Sequence, residues 1–219
     1  MLTLYGHPFS RAHRVMWMLK ELELPFAHVP TDFRGGATRT PEYLAINPNG
    51  RVPALVDDGV VLFESLAINL HLAREWRSAL SAHGLVEEAQ VTQWSFWVAT
   101  EVEKPLLLAA ANLLLFPEGA RDADQAAMAC KKLDRPFRVL DAHLAHRAYL
   151  LGDRFTVADL NVAAVMTLVP IAGVPIAHYP AISAWLAGCL ERPAAADWKP
   201  ITFTIPRPPT EAGVLAMFV

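Results

Sequence analysis

Every segment with a β-strand pattern lies before residue 64, whereas nearly all of the chain after about residue 85 has helical periodicity. The strand patterns are LTLY (2–5), LPFAHVP (24–30), PALV (53–56) and VVLF (60–63). Helical patterns separate the first three strands, DDG marks a hairpin turn between the last two, and a further helix begins near Ser65. The order β-α-β-α-β-β predicts a thioredoxin-like α/β domain, and the remainder predicts an all-α domain.

Local signals define the two domains further. A strand, a short helix over 11–23 and a second strand together predict a parallel βαβ unit. In TPEYLAI, Thr40 is expected to cap a helix whose first residue is Pro41. We place the α/β N-terminal domain at 1–78 and the all-α C-terminal domain at 86–219, because SALSAHG interrupts the pattern near 78–85.

The C-terminal domain is predicted to be a bundle of helices. One long apolar helix covers 87–115 and is expected to bend at Pro105, which cannot donate a backbone hydrogen bond. Further helices are predicted at 122–147, 156–169 and 180–190. The last twenty residues contain IPRPPT, which predicts an extended segment over the surface.

Charge and cysteine content narrow the possible partners. A net charge of -3, without clustered lysines and arginines, argues against a nucleic-acid partner. Cys130 and Cys189 lie far apart, so no disulfide framework, cysteine zinc site or dithiol redox centre is expected, and no other metal site is predicted. The uncharged stretch 160–177 contains glycine and two prolines, which predicts a buried helix and turn rather than a membrane span. The first residues lack the pattern of a secretion signal, which predicts a cytoplasmic protein.

The loop YGHPFS (5–10) is the first candidate site, because Ser10 lies where a strand turns into a helix. Its hydroxyl could accept a hydrogen bond from an orphan N–H group as a helix N-cap. It could instead donate its O–H to an anion at the positive end of the helix. Residue type alone favours capping, and no GxSxG motif supports a nucleophilic serine.

The second candidate is NPNGRVPAL (47–55), a turn that leads into a strand. The Val52–Pro53 bond has two possible isomers. A cis bond would expose the backbone of Val52 for pairing with an extended ligand, whereas spacing alone favours a trans proline at the start of the strand.

The third candidate is LFESLAI (62–68), in which Glu64 and Ser65 lie at a strand end and a helix start. Backbone N–H groups and the Ser65 hydroxyl could hold a carboxylate there. A simple helix cap is the alternative, and the residues leave both open.

In this order and at these spacings, the three motifs resemble the cytosolic glutathione transferase family, of a serine-type, bacterial-like kind. The resemblance covers the whole chain. In the second domain, LLGDRFTVADL (150–160) is similar to the family's buried capping box, in which Thr156 would cap a helix and Asp159 would reach back. The resemblance implies the glutathione transferase architecture, with glutathione as co-substrate.

The resemblance also implies a role for each motif. Ser10 would be the catalytic residue that donates a hydrogen bond to the glutathione sulfur. Val52, held by a cis-Pro53, would pair its backbone with the cysteinyl part of the tripeptide. Glu64 would meet the γ-glutamyl ammonium, and Ser65 with its helix N-terminus would take the γ-glutamyl carboxylate.

At the glycine end of the tripeptide the chain departs from the family pattern. Arg51 fills a position where relatives often place a polar or basic side chain. Thr38 stands where several serine-type relatives have a histidine that contacts the glycine carboxylate, and Arg39 lies beside it. We therefore include Arg51 and Thr38 among the residues expected to bind glutathione.

The implied activity is transfer of glutathione, as thiolate, to small hydrophobic electrophiles in a detoxification reaction; an isomerase or dehalogenase variant uses the same thiolate. The all-α domain would form the electrophile pocket, and its candidate lining residues are Trp94, Trp97, Leu107 and Phe116. A homodimer is also implied. The alternative is a non-catalytic relative that binds a partner or regulates, but the chain retains both Ser10 and the Glu64–Ser65 pair, which favours catalysis.

Overall fold

The computed structural model describes residues 1–33, 36–76 and 78–195. The chain divides into two compact units, Met1–Thr92 and Gln93–Val219. The domain bounds expected from sequence, 1–78 and 86–219, stay a prediction. The extended segment expected at the C-terminus lies outside the described residues.

The first unit contains the expected four-stranded sheet. Its strands are β1 (Leu2–Tyr5), β2 (Phe26–Val29), β3 (Ala54–Asp57) and β4 (Val60–Phe63), in the order β2-β1-β3-β4. Strands β1 and β2 are parallel, whereas β3 is antiparallel to both β1 and β4. This topology confirms the predicted βαβ unit and hairpin.

The same unit contains three helices that connect or follow these strands: α1 (Ala12–Glu21), α2 (Pro41–Ile46) and α3 (Ser65–Glu75). Thr40 caps α2 as predicted, since its side chain accepts a hydrogen bond from the N–H of Tyr43 at 3.3 Å. Helices α1 and α3 pack against each other, and the Nδ2 of Asn69 donates to the carbonyl of Arg14 at 3.2 Å. This packing fixes the start of α1 relative to the start of α3.

After α3, the regular secondary structure of the described chain is helical, with loops between the helices. The helices are α4 (Gly84–Trp97), α5 (Glu103–Ala110), α6 (Ala123–Leu144), α7 (Val157–Met166), α8 (Leu168–Ala172) and α9 (Pro180–Leu190). All ten residues of α7 are buried, which agrees with the predicted buried helix. Within the described ranges no helix is both long and apolar enough to cross a membrane.

The long helix predicted over 87–115 is interrupted upstream of Pro105. A π-helical turn at Val98–Val102 separates α4 from α5, and a second one follows at Ala111–Leu115. Pro105 lies in the first turn of α5 and has no N–H to donate to the carbonyl four residues earlier. The π-helical turn before Pro105 has the wider hydrogen-bond spacing, because the N–H of Glu103 donates to the carbonyl of Val98, five residues earlier.

The predicted capping box at the start of α7 is confirmed. The Thr156 hydroxyl accepts from the N–H of Ala158 at 3.3 Å, and the Asp159 carboxyl accepts from the N–H of Thr156 at 2.9 Å. Asp159 also accepts from the N–H of Leu150 at 2.8 Å and from the indole of Trp185 at 3.1 Å. One buried carboxyl therefore joins a loop and two helices.

Candidate active site

The register of the sheet brings the three sequence motifs to one edge. Tyr5 at the end of β1 lies opposite Ala54 at the start of β3, and Ala54 lies opposite Phe63 at the end of β4. The loop after Tyr5, the segment before Ala54 and the turn after Phe63 consequently leave the sheet side by side. Ser10, Val52 and Ser65 belong to these three segments, although up to 55 residues separate them in the sequence.

The loop that carries Ser10 is held close to the sheet and to α1. Gly6 has a φ of +154°, and a Cβ atom there would lie 2.4 Å from the Cβ of Ala12. A glycine is therefore required for the loop to pass this helix. The backbone N–H of Gly6 donates to the carbonyl of Val29 at 3.1 Å, and Nε2 of His28 lies 2.8 Å from the Gly6 carbonyl.

Ser10 lies just before the capping position of α1, which Arg11 occupies. Its Oγ accepts a hydrogen bond from the N–H of Ala12, the first helical residue, at 3.2 Å and donates to the carbonyl of His7 at 2.6 Å. The hydroxyl thus satisfies a helix donor, as the capping alternative requires. The hydroxyl donates its one hydrogen bond to the His7 carbonyl, and an anion bound at this place could accept that hydrogen bond instead.

The Val52–Pro53 bond is cis. The expectation of a trans bond from spacing alone was wrong, and the isomer implied by the family resemblance is present. Strand β3 begins at Ala54, so Val52 precedes the ladder and remains half-buried beside the exposed Arg51.

Two side chains that the sequence analysis did not single out hold this segment. The hydroxyl of Tyr43 donates to the carbonyl of Arg51 at 2.6 Å, and Nδ2 of Asn47 donates to the same oxygen at 2.8 Å. Both residues are buried. Burial, followed by the nearby Tyr5, raises the pKa of Tyr43 to about 12. Asn47 was interpreted only as part of a turn, and nothing in the local pattern of α2 marks Tyr43.

The turn after β4 combines backbone strain with a positive helix end. Glu64 has a φ of +69°, which is rare for a residue other than glycine, and its side chain makes no capping bond to α3. Such strain costs about 1–3 kcal/mol and tends to occur at functional sites. Ser65 is the first residue of α3. The buried guanidinium of Arg14 lies beside it, with Nη1 of Arg14 3.4 Å from Oγ of Ser65.

At the edge of this region, Thr38 is buried whereas its neighbour Arg39 is exposed. The guanidinium of Arg39 lies over Gly50, since a Cβ atom on Gly50 would be 2.6 Å from Nη1 of Arg39. Because Arg51 follows Gly50 in the sequence, Arg39 lies near Arg51. The role expected for Thr38 in binding glutathione stays a prediction.

The residues expected to line a pocket in the second unit divide into two pairs. Trp94 is 6% exposed and Phe116 is fully buried in a cluster with Leu115, so these two are core residues. Trp97 and Leu107 are half-buried and remain candidates. Among the described residues, no group of three or more histidine, cysteine or acidic side chains is arranged to hold a metal ion.

Comparison with known proteins agrees with this architecture. The family model "Glutathione S-transferase, N-terminal domain" matches residues 1–74, and "Glutathione S-transferase, C-terminal domain" matches residues 104–193. The chain belongs to the glutathione S-transferase family.

Relatives from plants and bacteria match over most of the chain. Glutathione S-transferase 3 of Zea mays is 37% identical, over 95% of this chain and 96% of that protein. Glutathione S-transferase GstB of Escherichia coli strain K12 is 31% identical, over 89% of this chain and 95% of that protein. The theta class glutathione S-transferase of Xanthomonas axonopodis pv. citri, solved with glutathione bound, has a TM-score of 0.83 and 28% identity, covering 89% of this chain and 94% of that chain.

Proposed function

We propose that this protein is a glutathione transferase in which Ser10 stabilises the thiolate of bound glutathione for attack on a small hydrophobic electrophile. The observation that carries the proposal is the pairing of Tyr5 with Ala54 and of Ala54 with Phe63. This pairing places the three motif segments side by side at one end of the strands. This makes the enzyme serine-type, with glutathione as co-substrate and no metal in the reaction. We propose in addition a cytoplasmic location and a role in detoxification.

The energetics of Ser10 fit this role. A free thiol has a pKa near 8.5, and lowering it by about two units requires roughly 2.7 kcal/mol of preference for the thiolate. One hydrogen bond to a charged group supplies about 1.5–3 kcal/mol, and the positive end of α1 adds about 0.3–1 kcal/mol. The N–H of Ala12 already donates to Oγ of Ser10, which makes the hydroxyl a stronger donor. No separate base is needed.

The rest of glutathione would bind across the same edge. The backbone of Val52 pairs with the cysteinyl part, and the exposed carboxylate of Glu64 meets the γ-glutamyl ammonium. The γ-glutamyl carboxylate lies against Ser65 and the start of α3, where the buried Arg14 adds positive charge. At the glycine carboxylate, the exposed guanidinium groups of Arg51 and Arg39 are better suited than the buried hydroxyl of Thr38.

An aromatic surface beside Ser10 supports a hydrophobic electrophile. The rings of His7 and Phe9 are 5.4 Å apart, and those of His7 and Phe33 are 6.4 Å apart. Phe9 is 39% exposed and Phe33 is 37% exposed, so an apolar molecule can cover them.

The function is tested by binding and turnover together. The purified protein is expected to be retained on immobilised glutathione, to elute with free glutathione, and to conjugate a chloronitrobenzene. Cysteinylglycine lacks the γ-glutamyl group that Glu64 and Ser65 would hold, so it is the matched control and should not elute the protein. A protein that is neither retained nor active would contradict the proposal and favour a non-catalytic partner-binding role.

We also propose a homodimer that uses the edge strand β4. Val61 is 41% exposed and Phe63 is 42% exposed, and both point to the same face because side chains alternate along a strand. An apolar face on an edge strand is suited to contact with a second copy of the chain.

Val61→Glu is expected to convert the dimer to a monomer, because it places a charge in this apolar contact. Sedimentation velocity at micromolar protein concentration measures the change. Val139→Glu is the control, since it places the same charge on an apolar residue that is 50% exposed on α6 and is not part of the β4 face. A Val61→Glu protein that remains dimeric would exclude this surface.

A further inference from the structure

The carbonyl group of Arg51 is held by two buried donors at once. Tyr43 donates from its hydroxyl at 2.6 Å and Asn47 from its side-chain amide at 2.8 Å. Tyr43 is 5% exposed and Asn47 is 2% exposed, so both donor side chains are largely shielded from water. A carbonyl oxygen has two lone pairs, and both are therefore in use.

The same carbonyl belongs to the peptide plane that contains the N–H of Val52. Within the described residues the only cis peptide bond is Val52–Pro53, so the Arg51–Val52 bond is trans. In a planar trans peptide the C=O and N–H bonds point in opposite directions. Two donors that fix the oxygen on the buried side consequently aim the Val52 N–H away from Tyr43 and Asn47. Within the described part of the chain, the Val52 N–H makes no backbone hydrogen bond.

The support beneath this peptide is itself ordered. Oδ1 of Asn47 accepts from the backbone N–H of Asn49 at 3.1 Å and from its Nδ2 at 3.0 Å. The carbonyl of Asn47 accepts from the N–H of Gly50 at 2.9 Å, which closes the turn. The ring of Tyr43 meets the ring of Tyr5 edge-on at 6.2 Å, and Tyr5 is the last residue of β1 before the loop that carries Ser10.

We infer that Tyr43 and Asn47 are positioning residues for glutathione, which aim the Val52 N–H at the cysteinyl carbonyl by fixing the Arg51 carbonyl. This inference rests on the proposed function, because it needs glutathione paired with Val52. The two residues touch neither the thiol nor Ser10, so they govern binding of the tripeptide backbone and leave the acidity of the thiol unchanged. Because the pKa of Tyr43 is raised to about 12, its hydroxyl stays a donor throughout the neutral range.

Tyr43→Phe removes one of the two donors and leaves Asn47 on the carbonyl, so the protein is expected to fold. The dissociation constants of glutathione and of S-methylglutathione should both rise about fivefold, the effect of one lost hydrogen bond, while the pKa of the bound thiol stays as in the wild type. Asn47→Ala should act in the same direction. Tyr179→Phe is the matched control, because it removes a hydroxyl that donates to Asp134 in the second unit; it should bind glutathione as the wild type does.

A glutathione analogue with its cysteinyl carbonyl reduced to a methylene tests the route through Val52. Wild-type protein should lose several-fold affinity for this analogue, and Tyr43→Phe should lose less, because the contact is already weakened. Equal losses in both proteins, or an unchanged affinity of Tyr43→Phe for glutathione, would overturn the inference while leaving the proposed function intact. Wild-type protein that fails to bind glutathione would overturn the proposed function and this inference with it.

Discussion

Replacing Ser10 by alanine is expected to lower kcat/KM for a chloronitrobenzene at neutral pH by ten-fold or more. The substitution removes the donor that stabilises the thiolate, and a loss of about 1.4 kcal/mol or more corresponds to that factor. Ser10→Thr keeps a hydroxyl and should retain more of the activity than Ser10→Ala. Steady-state rates at saturating glutathione, with the affinity for S-methylglutathione measured in parallel, separate a catalytic effect from a binding effect.

The chain offers a matched control for the structural part of this change. Ser78 accepts a hydrogen bond from the N–H of Leu80 at 3.2 Å, in the same way that Ser10 accepts from Ala12 at 3.2 Å. Ser78→Ala therefore removes an equivalent local bond away from the three motifs, and its rate should stay near that of the wild type. An unchanged rate in Ser10→Ala would remove Ser10 from the mechanism.

Replacing Asp159 by alanine is expected to cause the largest loss of stability. The carboxyl accepts from the N–H groups of Leu150 and Thr156, from the Thr156 hydroxyl at 3.0 Å and from the indole of Trp185. Burial raises the pKa of Asp159, and these hydrogen bonds offset part of the rise. Alanine would leave several buried donors without an acceptor, which lowers the free energy of unfolding by about 3–5 kcal/mol.

Chemical denaturation at a fixed protein concentration measures this loss as a shift of the unfolding midpoint. Arg138→Ala is the comparison, because the side chain of Arg138 is 73% exposed and its ion pair with Asp134 lies at the surface. That variant should lose about 1 kcal/mol or less. Equal midpoints for the two variants would show that the network around Asp159 contributes no more than a surface pair.

Much of the fold follows from local signals that need no tertiary contact. Short apolar runs, the DDG turn and the Thr40–Pro41 start indicated the sheet and α2, and the resemblance of LLGDRFTVADL to the family pattern indicated the capping box of Thr156 and Asp159. Each of these signals involves residues within a few positions of one another. The two π-helical turns were not predicted. A π-helical turn differs from an α-helical turn in which carbonyl accepts each N–H, and this difference produces no recognisable spacing of apolar residues in the sequence.

The site was predictable only as separate motifs. Spacing alone favoured a trans bond before Pro53, because most bonds before proline are trans. The bond is cis, and the tertiary contacts that select this isomer cannot be seen in the local sequence. Arg14 was not singled out, because its approach to Ser65 joins residues 51 positions apart and exists only once α1 packs on α3. Tyr43 and Asn47 lie close to Arg51 in sequence, yet their common acceptor depends on how α2 turns back toward β3.

The acidity of the bound thiol is the most direct test of the mechanism. Ultraviolet absorbance of the thiolate, followed in the binary complex from about pH 5 to pH 10, should give a pKa about two units below the 8.5 of a free thiol. In Ser10→Ala the same titration should move back toward the value in water. A wild-type complex whose thiol titrates as free glutathione does would contradict the role assigned to Ser10 and to the start of α1.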